Sequence, residues 1–147
     1  MILYDAHKEL NDWVSFNVLG VTGLYDKASK AIGHVKDGKL IAAVTYNNFV
    51  TRPDGSFLTV EMGVYSTDKR WATKDFLRAI FEYPFVQMKM PKVDTRCSAE
   101  NKQIIAFNQK LGFVPEGYHR QAWPLGGDAI SFSMLKQECR YINGKFS

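Results

Sequence analysis

The spacing of apolar and polar positions divides the chain into an ordered series of short elements. Between Lys8 and Leu19 the apolar residues Leu10, Trp13, Val14, Phe16 and Val18 follow an untidy helical period and predict a short amphipathic helix. Ala31-Ile32-Gly33-His34-Val35 and Leu40 to Phe49 read as strands joined by Lys36-Asp37-Gly38-Lys39, where Asp-Gly supplies the positive φ of a tight hairpin turn. A second turn, Arg52-Pro53-Asp54-Gly55, leads into a third strand from Phe57 to Val64. Thr73 is an N-cap for a helix from Lys74 to Tyr83, with Phe76, Leu77, Ile80 and Phe81 on one face and Pro84 as its stop. Val93 to Cys97 predicts a strand. Asn101 opens a helix with Ile104, Ile105, Phe107 and Leu111 on its buried side and Gly112 as an αL C-cap. Two more strands flank Gly126-Gly127-Asp128.

A helix lying between two strands predicts a βαβ crossover, so the strands through Glu61 and Thr95 should be parallel neighbours, with the rest antiparallel. The fold class expected is α+β: a mixed, mostly antiparallel sheet with flanking helices. No repeat, low-complexity stretch or linker interrupts the chain, which predicts one domain over residues 1–147, with Asn143 to Ser147 as a loose tail.

Composition narrows the classes. At 46% hydrophobic and 23% charged residues the chain is globular rather than disordered. Its apolar runs, such as Leu40 to Val44, fall far short of the roughly 20 residues of a membrane helix. The start, Met1-Ile2-Leu3-Tyr4-Asp5, lacks the basic and apolar regions of a secretory signal, so a soluble cytoplasmic protein is expected. Cys97 and Cys139 form no C-x-x-C pair, and His7, His34 and His119 are scattered; the spacing predicts apolar filler cysteines and no metal site. A net charge of +4 without a dense basic tract points to a small anion more than to nucleic acid, which only the pI near 9.0 supports.

The residues from Asn101 through Lys110-Leu111-Gly112-Phe113-Val114-Pro115-Glu116-Gly117 resemble the N-x-x-(apolar)…K-L-G-F-x-x-E-G segment of GNAT acetyltransferases, most of all the branch of ribosomal-protein N-acetyltransferases. The resemblance runs on through Tyr118-His119-Arg120, from Asp128 to Leu135 and through Glu138-Cys139-Arg140-Tyr141, and upstream through Phe81-Glu82-Tyr83-Pro84-Phe85. The Asp37-Gly38…Tyr46-Asn47-Asn48-Phe49 hairpin is similar to that of small bacteriophage-encoded acetyltransferases. What this implies is a GNAT-like fold, acetyl-coenzyme A (acetyl-CoA) as cosubstrate, and direct transfer in a ternary complex to an amine: a protein N-terminus, a lysine or a small amine. A phage-encoded protein would act in the host cytoplasm.

The resemblance also implies roles. Glu61 corresponds to a strand glutamate that serves as general base, against the plainer reading of an ordinary solvated or ion-paired residue. Met62, Gly63 and Val64 would offer backbone N–H groups to the cofactor, with Gly63 marking either a β-bulge or a packing glycine. Where the family carries a glycine-rich pyrophosphate loop, this chain has Lys69-Arg70-Trp71-Ala72-Thr73-Lys74; a helix N-terminus and added cations would stand in for it. Asn101 would contact the pantetheine arm, cap its helix, or both, and Lys110 lies near the adenosine phosphates or in solvent. Asn108 takes the place of the family's tyrosine acid and is a candidate for both catalysis and cofactor binding, though an amide cannot donate a proton as a phenol does. Trp13, His34, Tyr46 and Trp123 are acceptor-pocket or core residues, and Phe107 and Leu111 core. The missing glycine loop and Asn108 also fit a rival reading, a GNAT-fold binding or structural protein, aimed at a host partner, that has lost catalysis.

Overall fold

Turn chemistry lays out the sheet of the computed structural model, which describes residues 1–142; the tail expected from Asn143 to Ser147 lies outside the described residues. The elements in order are β1 (Ile2–Leu3), α1 (His7–Leu19), β2 (Lys30–Lys36), β3 (Lys39–Thr51), β4 (Phe57–Ser66), α2 (Lys74–Glu82), β5 (Lys92–Ser98), α3 (Lys102–Leu111), β6 (Val114–His119) and β7 (Ala129–Leu135). Asp37 and Gly38, with φ of 53° and 75°, close the β2–β3 hairpin as two successive left-handed residues. The strands form one seven-stranded sheet in the order β1-β2-β3-β4-β5-β7-β6. Every pairing is antiparallel except β4 with β5. That parallel ladder holds for only two pairs, Glu61 with Asp94 and Met62 with Thr95, after which the strands part.

The two faces of the sheet are covered by different helices. Alternation along β4 and β5 sends Val60, Met62, Val93 and Cys97 to one face, where Phe76, Leu77, Ile80 and Phe81 of α2 complete the main core. On the other face α1 seats Leu10 and Val14 against Ala31 and Ala43. Gly33 permits this approach, since a Cβ there would lie 2.9 Å from a Leu10 methyl. α1 is also polar where it is buried: Asn11 and Ser15 are inside. Asn11 Nδ2 donates to the Ser29 carbonyl at 3.3 Å and Ser15 Oγ to the Val21 carbonyl at 2.6 Å. The untidy period of this helix therefore has a cause: two inward positions hold the loop that follows.

Pro84 does not stop the second helix. The chain continues from Tyr83 to Gln87 as one widened π turn, in which Met88 N–H reaches back to the Tyr83 carbonyl at 3.0 Å. The proline lacks an N–H, and widening the turn accommodates it without breaking the run. The buried side of α3 also differs from the expected stripe. Its buried residue is Asn108, while Ile104 is 38% exposed and Ile105, Phe107 and Leu111 only flank the core.

Two of the four rings left between pocket and core belong to the core. Tyr46 is fully buried, and its hydroxyl donates to the Ile80 carbonyl on α2. Its ring meets Tyr83 edge-on at 4.9 Å. His34 Nδ1 lies 2.8 Å from the Trp71 carbonyl, which requires that nitrogen to carry the proton, and its ring stacks on Phe76 at 4.8 Å. Sequence spacing cannot tell a pocket aromatic from one whose polar end finds a backbone partner. Tyr46→Phe is expected to cost about 1 kcal/mol in a urea unfolding curve, the net worth of one buried hydrogen bond, with no effect on ligand binding. Among the described residues no helix is long and apolar enough to cross a membrane.

Candidate active site

Where β4 and β5 part, a cleft of about 1290 Å³ opens through the sheet. It exceeds the roughly 300–1,000 Å³ of sites that hold drug-sized ligands. Its walls come from the α1–β2 loop, β4, the Lys69–Trp71 turn, α3 and the loop between β6 and β7. It takes in Glu61, Met62, Gly63, Val64, Lys69, Trp71, Ala72, Asn108 and Lys110, so much of the expected set is brought together.

Glu61 sits in β4 between Asn47 of β3 and Asp94 of β5. Its side chain is 29% exposed, and its Oε1 lies 3.6 Å from Arg96 Nε. Burial pushes the carboxyl above the ordinary glutamate value; Arg96 and a hydrogen bond from Asn48 pull it partly back, and the Asp94 charge adds to the rise. Asn48 reaches Glu61 because β3 is bulged there. Pairing passes from Asn47 with Glu61 to Val50 with Thr59, three steps on β3 against two on β4, and Asn48 takes a left-handed φ of 54°.

The bulge considered at Gly63 is thus on the neighbouring strand instead. Gly63 pairs in regular register with Thr45, and a Cβ at this position would lie 2.9 Å from Thr45 Oγ1. It is a glycine of close approach. The other side of that contact is Tyr25, from the α1–β2 loop, whose hydroxyl lies 3.8 Å from the same Cβ position and bonds to Thr45.

On the opposite wall Asn108 is 4% exposed, and its Nδ2 has no hydrogen-bond partner. An orphaned buried donor costs about 1–3 kcal/mol, and here it belongs to a residue of the cleft wall. Lys69, Lys110 and Arg140 add cations to the cleft lining, beside the Arg96 that meets Glu61. Arg140 is fixed by a 2.9 Å bond to the Lys110 carbonyl, which the αL end of α3 leaves open.

Most of the other expected residues lie outside the cleft wall. Arg70 grips the Asp68 carboxylate, with Nε to Oδ1 at 3.0 Å and Nη2 to Oδ2 at 2.6 Å, and holds that carboxyl well below the usual range. Thr73 caps its own helix by accepting from Phe76 N–H. Lys74 lies in the first turn of α2 and, like Arg70, Thr73 and Asn101, is not in the cleft wall. Asn101 is an N-cap, its Oδ1 accepting from Ile104 N–H at 3.1 Å. Trp71 is buried against Phe76 and Phe107 while one side faces the cleft. Trp13 packs edge-on to Tyr65 at 5.3 Å, outside the cleft wall, whereas Trp123 is in it. Among the described residues no group of three His, Cys, Asp or Glu could hold a metal, and both cysteines are free and buried.

Sequence reading missed Tyr25, Asn48, Arg96 and Arg140. Asn47-Asn48 did carry a signal, a polar pair inside an apolar strand. Tyr25 carried none, being a loop residue whose place depends on what α1 holds.

No family model matches the sequence, and no curated protein does. The fold does have parallels among solved structures. A mutant of spermidine N-acetyltransferase SpeG from Vibrio cholerae superposes with a TM-score of 0.61 at 16% identity, covering 82% of this chain and 72% of that one. The ribosomal-protein-S5-alanine acetyltransferase from Vibrio fischeri gives 0.62 at 17% identity over 75% of this chain and 63% of that one. A protein provisionally assigned as a phosphinothricin N-acetyltransferase gives 0.65 at 12% identity over 92% and 97%. With an α+β sheet that parts between its two parallel strands, the chain has the fold of the GNAT acetyltransferases.

Proposed function

We propose that the cleft binds acetyl-CoA and that the protein passes the acetyl group to a primary amine, with Glu61 as general base. The observation that carries this reading is the placement of one desolvated carboxylate, held by Asn48 and Arg96, at the point where β4 leaves β5. Its raised affinity for protons makes it a better base, while Arg96 limits the rise. The fold neighbours named above are acetyltransferases, which adds support from analogy.

The residues present fit the cosubstrate. Asn108 Nδ2 is a buried donor lacking an acceptor, which an amide or carbonyl of the pantetheine arm would supply. Lys69, Lys110 and Arg140 provide cations for phosphates. When bound, acetyl-CoA supplies an acyl carbon activated as a thioester. Glu61 takes the proton of the attacking amine, and the cleft walls partly desolvate the carboxylate.

Calorimetric titration with acetyl-CoA, followed by a panel of peptides with free N-termini, lysine peptides and small amines, tests the reading. Binding in the micromolar range with turnover of one acceptor class supports it. Absence of binding at millimolar cofactor sinks it. Asn108→Ala is expected to weaken acetyl-CoA about tenfold, or 1.4 kcal/mol. The melting temperature of the ligand-free variant should hold or rise, because the deleted amide donor is unpaired there.

A binding protein without catalysis is favoured by one observation. The N-terminus of α2 caps itself with Thr73 and carries Asp75 in its first turn, an unfavourable setting for an anion. The same titration decides between the two.

A further inference from the structure

We propose that the Tyr25 hydroxyl is a second catalytic group of this site: the hydrogen-bond donor to the negative charge that develops on the thioester as the amine attacks. The proposal rests on the acetyltransferase reading above.

Four features converge on this hydroxyl. Its loop is pinned at several points by α1 and by its own turn: Ser15 holds Val21, Asp12 Oδ1 accepts from Gly23 N–H at 3.0 Å, and Asp26 Oδ1 accepts from Ala28 N–H at 3.0 Å. Thr45, a fully buried hydroxyl in the middle of β3, lies 3.4 Å from the Gly63 carbonyl and also meets Tyr25; when it turns to donate to the phenol oxygen, the phenol's own proton is left for the substrate. A Cβ at Gly63 would lie 2.9 Å from Thr45 Oγ1 and 3.8 Å from the phenol oxygen, so the glycine keeps the strand surface clear at this contact. Glu61 lies two residues before Gly63, so by strand alternation its carboxylate shares the face on which the phenol rests. Tyr25 and Glu61 are both in the cleft wall, and each lies within the other's electrostatic reach.

The chemistry assigns donation rather than proton transfer. Burial raises the Tyr25 phenol above its ordinary value, the Thr45 hydrogen bond pulls it partly back, and the Glu61 charge adds to the rise. The phenol therefore stays protonated across neutral pH. In the balanced step a carbon–nitrogen bond forms and the carbon–sulfur bond breaks with its electron pair on sulfur. The amine proton goes to Glu61. Sulfur leaves as a thiolate, since a thiol of pKa about 8.5 needs no acid to depart, and later takes a proton from water. Tyr25 keeps its own proton throughout. A donor of this kind, aimed where charge develops, contributes chiefly to kcat.

The test compares the wild-type protein with Tyr25→Phe, which deletes only the hydroxyl, and Thr45→Val, which keeps the phenol and deletes its partner. Tyr25→Phe is expected to lower kcat on the order of 10²–10³-fold with acetyl-CoA affinity, by calorimetry, changed less than about threefold. Thr45→Val should lower kcat about tenfold. Both should keep the acid limb of the wild-type pH profile, because Glu61 is intact. A kcat for Tyr25→Phe within about threefold of wild type, or a loss carried entirely by cofactor affinity, overturns the proposal and leaves the acetyltransferase reading standing. Wild-type protein that binds acetyl-CoA but turns over no amine removes both. If Tyr25→Phe does not fold, Thr45→Val decides: an undiminished kcat overturns the assignment.

Discussion

Glu61→Gln is expected to reduce kcat/KM for any accepted amine by about 10²–10⁴-fold while leaving the fold intact, a range typical for loss of a positioned general base. The amide keeps the shape and can still meet Asn48, so acetyl-CoA binding should change little. The pH profile gives the more specific readout. In the wild-type protein kcat/KM should fall as pH drops through the Glu61 pKa, and this limb should lie above the ordinary glutamate range because burial raises the group. The variant should lack it. Stability moves the other way. A carboxyl whose folded pKa exceeds its unfolded one binds its proton more tightly when folded, so ionised Glu61 costs stability above the folded pKa and the cost fades as pH falls through it. Glu61→Gln should therefore melt at the same or a higher temperature at neutral pH. Parallel melting curves with a rate loss below about tenfold would remove Glu61 as the base.

The largest loss of stability is expected from Phe81→Ala. Phe81 is fully buried, stacked on Tyr141 at 4.9 Å with an interplanar angle of 8°, and flanked by Phe85 at 6.3 Å and Phe113 at 6.1 Å. Its ring joins α2 to the corner between α3 and β6, a corner that Tyr141 also fastens by donating to the Leu111 carbonyl at 2.7 Å. Truncation at such a site costs roughly 3–5 kcal/mol, because the rings around it cannot all move to refill the space. For a domain of this size that is a fall of about 10 °C in melting temperature. A fall of less than about 3 °C in differential scanning calorimetry would show that the cluster repacks without penalty.

How far each feature could be read before the fold was known follows from the range of the interactions that create it. α2 was legible from end to end of its apolar face, because Phe76, Leu77, Ile80 and Phe81 are grouped by helical period alone. Pro84 misled, since a proline that widens a turn and one that ends a helix look the same in sequence. The β2–β3 hairpin followed from Asp37-Gly38, and the parallel neighbours β4 and β5 from the helix between them. Strand alternation also placed Glu61 opposite Val60 and Met62. The aromatics were different. Tyr46 and His34 bury their polar ends on the Ile80 and Trp71 carbonyls, 34 and 37 residues away in the chain.

Sequence by itself thus determined the order of elements, the faces of the strands and the position of the candidate base, because each is set by side-chain direction among near neighbours. The tertiary structure decided the rest: β4 and β5 part after two pairs, the bulge at Asn48 brings an amide to Glu61, and the polar side of α1 holds a loop so that Tyr25 meets Thr45 across Gly63. Those contacts join residues from separate elements. Their energies depend on burial and on which polar groups lack a partner, and neither quantity exists until the chain has folded.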